Sequence, residues 1–154
     1  MTVALVRNPG DGQKFQYHNS VIEQVATNAE TSGAATVMRL TVGREDAPPL
    51  HFHSREDESW VVLSGRVRFW VGSKSLDECE VHDAEQGAYI YVSRLVPHTF
   101  QTITPTSEIL VINNPGAIEG LFHSIGPGGG RAAAENADLA ADYGVVNLQD
   151  PPLA

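Results

Sequence analysis

His51 and His53 stand one residue apart in the stretch "PPLHFHSREDESWVVLSG" (48–65), and Glu58 follows shortly after them. In an extended chain successive side chains alternate faces, so the two imidazoles point the same way, at the separation of a ligand pair. Glu58 opens the next apolar run, where the same alternation turns Glu58, Trp60 and Val62 to one face. Much later, His98 follows Pro97 and heads a run in which Phe100 and Thr102 share its face. If these faces line one interior, three neutral imidazoles and one carboxylate converge. Such a set suits one divalent transition metal ion (Fe, Ni, Mn, Cu or Zn), leaves positions for a substrate or water, and does not choose among the metals.

The elements that must hold these donors read as strands. From Lys14 to about Val111, short apolar runs are separated by Gly, Pro, Asp and Ser, the pattern of many short strands. "AATVMRLTVG" (34–43) places Val37, Arg39 and Thr41 on one face and Met38, Leu40 and Val42 on the other. "ESWVVLSGRVRFWVGSKSLDECEV" reads as an antiparallel meander with tight turns at Ser64-Gly65 and Gly72-Ser73. "GAYIYVS" (87–93), "HTFQTI" (98–103) and "SEILVINN" (107–114) continue it, for about eight strands in all. An all-β barrel is the expected fold class, since closure removes exposed strand edges. The tail differs: after "GPGGG" (126–130), "RAAAENADLAADYG" (131–144) predicts a short C-terminal helix with Leu139 and Tyr143 on one stripe and Gly144 as its stop. The domain reading is a barrel over 1–125, with 126–154 as a glycine-rich linker, helix and tail packed on it.

At 154 residues the chain has the length of one domain. Ten Lys and Arg against nineteen Asp and Glu give a net charge of −9, which repels phosphate backbones and anionic lipid; no nucleic acid and no membrane are expected as partners. The four-residue apolar run from Val3 to Val6 is far short of a signal-peptide core, and no stretch approaches a membrane span. A single cysteine, Cys79, excludes an internal disulfide framework, and a cytoplasmic location is expected.

Two spacings carry a family resemblance. His51-x-His53-x4-Glu58-x6-Gly65 resembles the first motif of the cupin superfamily, and Gly87-x5-Ser93-x-Leu95-x2-His98 resembles the second. The family's leading glycine falls here at Glu45, its Pro and Gly at Ser93 and Leu95, and its final Asn at Thr102; these departures touch turn chemistry and leave the donors intact. "GLFHSIG" (120–126) before an alanine-rich helix is similar to the tail of single-domain cupins grouped with quercetin 2,3-dioxygenase. The resemblance implies a jelly-roll β-barrel, metal ligation by His51, His53, Glu58 and His98, and dioxygenase chemistry on an aromatic or enolic small molecule. In that reading O2 is a second substrate, Glu58 doubles as the catalytic group that takes a substrate hydroxyl proton, Trp60 and Phe100 wall the substrate pocket, and the chain pairs as a homodimer.

Glu56 competes with Glu58 for the carboxylate position, because both share strand parity within "REDES". The motif spacing favours Glu58 and leaves Glu56 and Asp57 to a solvated turn. His18, His82 and His123 have no partner at ligand spacing and read as surface or structural histidines. Cys79, flanked by Glu78 and Glu80, reads as structural, since neighbouring negative charge disfavours a thiolate. Two other functions use the same residues: a metal-dependent cyclase or isomerase acting on a polyketide-like or sugar-like substrate, and a small-molecule-binding cupin without turnover.

Overall fold

A computed structural model describes residues 4–17, 20–125 and 137–153. The strands in chain order are β1 (Lys14–Tyr17), β2 (Ser20–Ala26), β3 (Thr36–Gly43), β4 (Leu50–His53), β5 (Asp57–Ser64), β6 (Val67–Val71), β7 (Glu80–Ala84), β8 (Tyr89–Val92), β9 (His98–Thr102), β10 (Thr106–Asn114) and β11 (Val145–Gln149). Helices α1 (Glu119–Ile125) and α2 (Ala137–Asp142) lie between β10 and β11. One sheet has the order β1-β2-β3-β10-β5-β8 and the other β11-β4-β9-β6-β7, with every described pairing antiparallel. The two sheets enclose one core, the jelly-roll arrangement that the motifs implied.

The alternation in sequence becomes burial. On β3, Met38, Leu40 and Val42 are buried and Thr41 is exposed; on β5, Trp60 and Val62 are fully buried behind Glu58. They join Ile22, Val67, Phe69, Phe100 and Ile109 in the main cluster. At about 25 cal/mol per Å2 of apolar surface removed from water, each such side chain contributes roughly 1.5–3 kcal/mol. That burial holds the two sheets face to face, with the inward side chains of β4, β5 and β9 sharing the enclosed space.

The chain after β10 folds back over the barrel. Ile118, Leu121, Ala140 and Val145 form a second, smaller cluster, and Phe122 packs against both clusters. The described part of the expected tail helix is α2, which ends at Asp142; the turn after it carries Gly144 at φ +77°, where a side chain would meet Ser54 and Arg55. The glycine run 126–130 lies outside the described residues. Beyond Gly144 the chain forms β11, which pairs with β4 and sets Val145 opposite His53 and Asn147 opposite His51. Sequence reading missed this strand, although Val145 and Val146 directly after a glycine stop carry the β-branched signal for one.

Leu95 adopts φ +69°, a left-handed conformation that costs a residue with a Cβ roughly 1–2 kcal/mol. It occupies the position where the second motif has glycine, so the backbone geometry persists although the residue suited to it is gone. Its amide donates to the His53 carbonyl at 2.7 Å, and its side chain is 61% exposed. Little packing offsets the strain. Leu95→Gly is expected to raise stability by about 1 kcal/mol, or roughly 2–4 °C in Tm for a chain of this size, read by calorimetry. An unchanged or lower Tm would show that the turn is not strained.

Candidate metal centre

Three strands deliver the four donors. β4 carries His51 and His53; β9 pairs with β4 through His51 and His98; β5 brings Glu58 from the opposite sheet. His53, Glu58 and His98 are buried, while His51 is partly so. One donor atom from each of the four lies within 4.8 Å of every other. Sequence reading named all four, and the fold brings them together.

Each imidazole is oriented from behind. His51 Nδ1–H donates to the Pro49 carbonyl at 2.6 Å, His98 Nδ1–H to the Val96 carbonyl at 2.9 Å, and His53 Nδ1–H to Glu56 Oε1 at 2.8 Å. A ring nitrogen that donates outward fixes the tautomer and leaves the other nitrogen as the inward ligand. All three Nε2 atoms therefore face one point. His51 Nε2 and His53 Nε2 are 3.1 Å apart, and Glu58 Oε2 lies 2.5 Å from His53 Nε2 and 3.2 Å from His98 Nε2. Donors at about 2.1 Å from a shared centre and at right angles stand about 3 Å apart, so the spacing fits a divalent ion.

The charges agree with that fit. Burial, reinforced by the neighbouring His98 and His53, drives His51 down to about 3 and keeps it neutral. Burial also opposes charge on His53, but attraction to Glu58 and hydrogen bonds with Glu56 and Glu58 outweigh it and push the group up to about 9. Burial likewise works against the Glu58 carboxylate, yet the charge of His53 and hydrogen bonds from His53 and His98 hold it well below the usual carboxylate range. The cluster thus keeps one positive charge between two carboxylates, the charge a cation would replace.

Glu56 is the residue that sequence reading misplaced. It is 2% exposed and bonded to His53, so the solvated turn expected there is corrected: only its neighbour Asp57 faces outward, paired with Arg94 at 3.2 Å. The acidic run hid it, because parity and spacing identify a ligand but not the group behind one. The two expected pocket walls separate as well. Phe100 lines the cavity beside the donors, whereas Trp60 is fully buried behind them, in edge contact with His98 at 5.3 Å between ring centroids. Tyr17, not singled out from sequence, lines the cavity; burial and then the charge of Glu58 raise its phenol pKa, keeping it a neutral hydroxyl. His82 is exposed and His123 stacks on Phe15; His18 lies outside the described residues.

Three of the donors, His51, His53 and Glu58, line a cavity of about 210 Å3 between barrel side chains such as Met38 and Leu40 and the C-terminal cover at Leu121 and Phe122. It is mostly apolar with a few convergent polar groups, the usual make-up of a small-molecule site.

Residues 36–113 match the cupin domain family. Two curated relatives are quercetin 2,3-dioxygenases: one from Bacillus subtilis, 24% identical over 117 residues, covering 76% of this chain and 33% of the relative, and one from Aspergillus japonicus, 28% identical over 102 residues, covering 65% and 29%. The chain spans about a third of the length of these relatives. Among solved structures, the hydroxypropylphosphonic acid epoxidase from S. wedmorenis superposes with a TM-score of 0.57 at 19% identity, over 71% of this chain and 59% of that one.

Removing the group behind His53 tests its role. Glu56→Ala is expected to weaken Zn(II) binding about 10–100-fold in competition with a chromophoric chelator, and Glu56→Gln, which keeps an acceptor for Nδ1–H, by much less. Unchanged affinity in both folded variants would make Glu56 a packing residue only.

Proposed function

The chain belongs to the cupin domain family, and from that premise we propose that it is a metal-dependent dioxygenase acting on an aromatic or enolic small molecule. The observation that carries this reading is the convergence of three Nε2 atoms and one carboxylate oxygen at the inner end of an apolar cavity. The likeness to two quercetin 2,3-dioxygenases supports the choice of oxidation over other metal chemistry.

In this reading His51, His53 and His98 hold the ion and Glu58 completes the set. A divalent transition ion there supplies Lewis acidity and a centre at which O2 and a substrate oxygen can meet. The protein's own part is orientation and proton handling. Glu58 is buried beside the other donors, and a substrate hydroxyl brought there comes within reach of its carboxylate; the interactions that keep Glu58 ionised also make it a weak base, so the proton it takes would be one that a bound ion has made acidic. Phe100 and Phe122 press on a flat ring, and the cover at Leu121 limits water at the reacting end. The Tyr17 hydroxyl is a neutral donor on the same cavity.

The wider biology of the proposal is a cytoplasmic homodimer. The free Cys79 fits a reducing compartment. The outer face of β8, with Tyr89 and Tyr91 more than half exposed at a sheet edge, offers a surface for pairing.

The test is metal content by mass spectrometry on protein purified without a histidine tag, followed by substrate screens with and without O2. About one ion per chain in the wild type is expected, lost in His98→Ala, with turnover that consumes O2. Equal turnover under anaerobic conditions would replace oxidation by cyclisation or isomerisation. No metal even after loading would leave a small-molecule-binding protein.

A further inference from the structure

We propose that the cavity selects a ligand of about one ring that carries no negative charge beyond the oxygen donated to the metal, and that Glu45 at the rim enforces this. The inference rests on the metal-dependent reading above and adds the substrate class to it.

Size comes first. The cavity measures about 210 Å3, and a protein cavity of about 150 Å3 is enough for benzene. One ring with a few substituents fills the space.

Charge is the sharper constraint. Among the described residues that line the cavity there is no lysine and no arginine; the hydrogen-bonding groups away from the donors are the uncharged Tyr17, Ser20 and Asn147. The charged groups other than the donors are Glu45 and Asp46, both acidic. The Asp46 carboxylate is taken up by the Gly43 amide at 2.7 Å, whereas Glu45 is exposed at the opening. Three arginines of the described residues are turned elsewhere. Arg44, next to Glu45 in sequence, donates to the Ile103 carbonyl on the outside of the barrel, Arg39 is held by Glu23 and Glu108, and Arg55 donates to the Asp142 carbonyl.

A divalent ion at the donors is balanced by the Glu58 carboxylate and, behind His53, by the buried Glu56 carboxylate, so the cavity floor holds no surplus positive charge for a second anionic group on a ligand. A second negative group on the same ligand would lie among Met38, Leu40, Val42 and Phe100 with no cation among the described residues to pair, or at the rim beside Glu45, and either placement is unfavourable. The net charge of the whole chain already opposes polyanions; the cavity shows the same sign at the place where a substrate enters.

The experiment compares catechol with 3,4-dihydroxybenzoate, which have the same chelating pair and differ by a carboxylate, by isothermal titration into protein of measured metal content. Catechol is expected to bind at least about tenfold more tightly at neutral pH, and Glu45→Gln is expected to narrow the gap with metal content unchanged. Equal or tighter binding of 3,4-dihydroxybenzoate by the wild type, or no binding of catechol by protein carrying its metal, would overturn the proposal. An unchanged gap in Glu45→Gln would remove Glu45 as its cause. The metal reading fails separately, as absence of the ion in mass spectrometry; the same pair is then compared on the metal-free protein, where the same order is expected.

Discussion

Three hydrogen bonds that point away from the site decide what the site can be. The Nδ1–H groups of His51, His53 and His98 each have a fixed acceptor, two backbone carbonyls and the Glu56 carboxylate. Without them each ring could turn or change tautomer, and the inward face would present a mixture of donors and acceptors. With them, three Nε2 atoms and one carboxylate oxygen meet in a buried space. Such a cluster is unstable on its own, because burial opposes every charge in it; His51 is driven neutral and His53 stays charged only between Glu56 and Glu58. The arrangement is most economical when a cation takes the middle.

The barrel supplies the rigidity this requires. His51 and His98 sit opposite one another on paired strands of one sheet, while Glu58 crosses from the other. The two sheets hold their separation through Trp60, which packs behind His98, and through Phe69 and Phe100, which pack on Trp60 and on each other, with ring centroids 5.2–6.2 Å apart. Trp60 thus serves the site from behind, by fixing the position of a ligand. β11 then pairs with β4 beside both ligating histidines, so the C-terminal tail supports the ligand strand and closes the cavity at once.

Much of this was legible in the sequence because strands have a period of two. Parity alone put Glu58, Trp60 and Val62 on one face and paired His51 with His53, and the structure keeps those faces. Parity failed where the relevant contact is not along the strand. Glu56 looked like part of a solvated acidic run, since nothing in "REDES" says that its carboxylate turns back to His53. Trp60 shares the parity of a ligand but lies a layer deeper, a difference of depth that alternation does not encode. Tyr17 reaches the cavity from the edge strand of the other sheet, through a closure that only the fold creates. The strain at Leu95 was half visible: the motif asks for glycine there, but only the backbone shows that the left-handed turn survived the replacement.

Donors and walls therefore carry different information. The four donors come from strands fixed by the core, and they determine that a cation and an oxygen ligand can meet. They do not distinguish substrates, and one fold with one ligand set can serve several reactions. Discrimination has to come from groups that line the cavity without holding the donors: the turn at Glu45 and Asp46, the cover at Leu121 and Phe122, and Asn147 on the added strand. All of these lie outside the strands that hold the donors. A change of charge at the rim can then alter which molecules enter while the metal centre keeps its geometry, because the hydrogen bonds that orient the imidazoles run through Pro49, Glu56 and Val96, none of which the rim carboxylate of Glu45 touches.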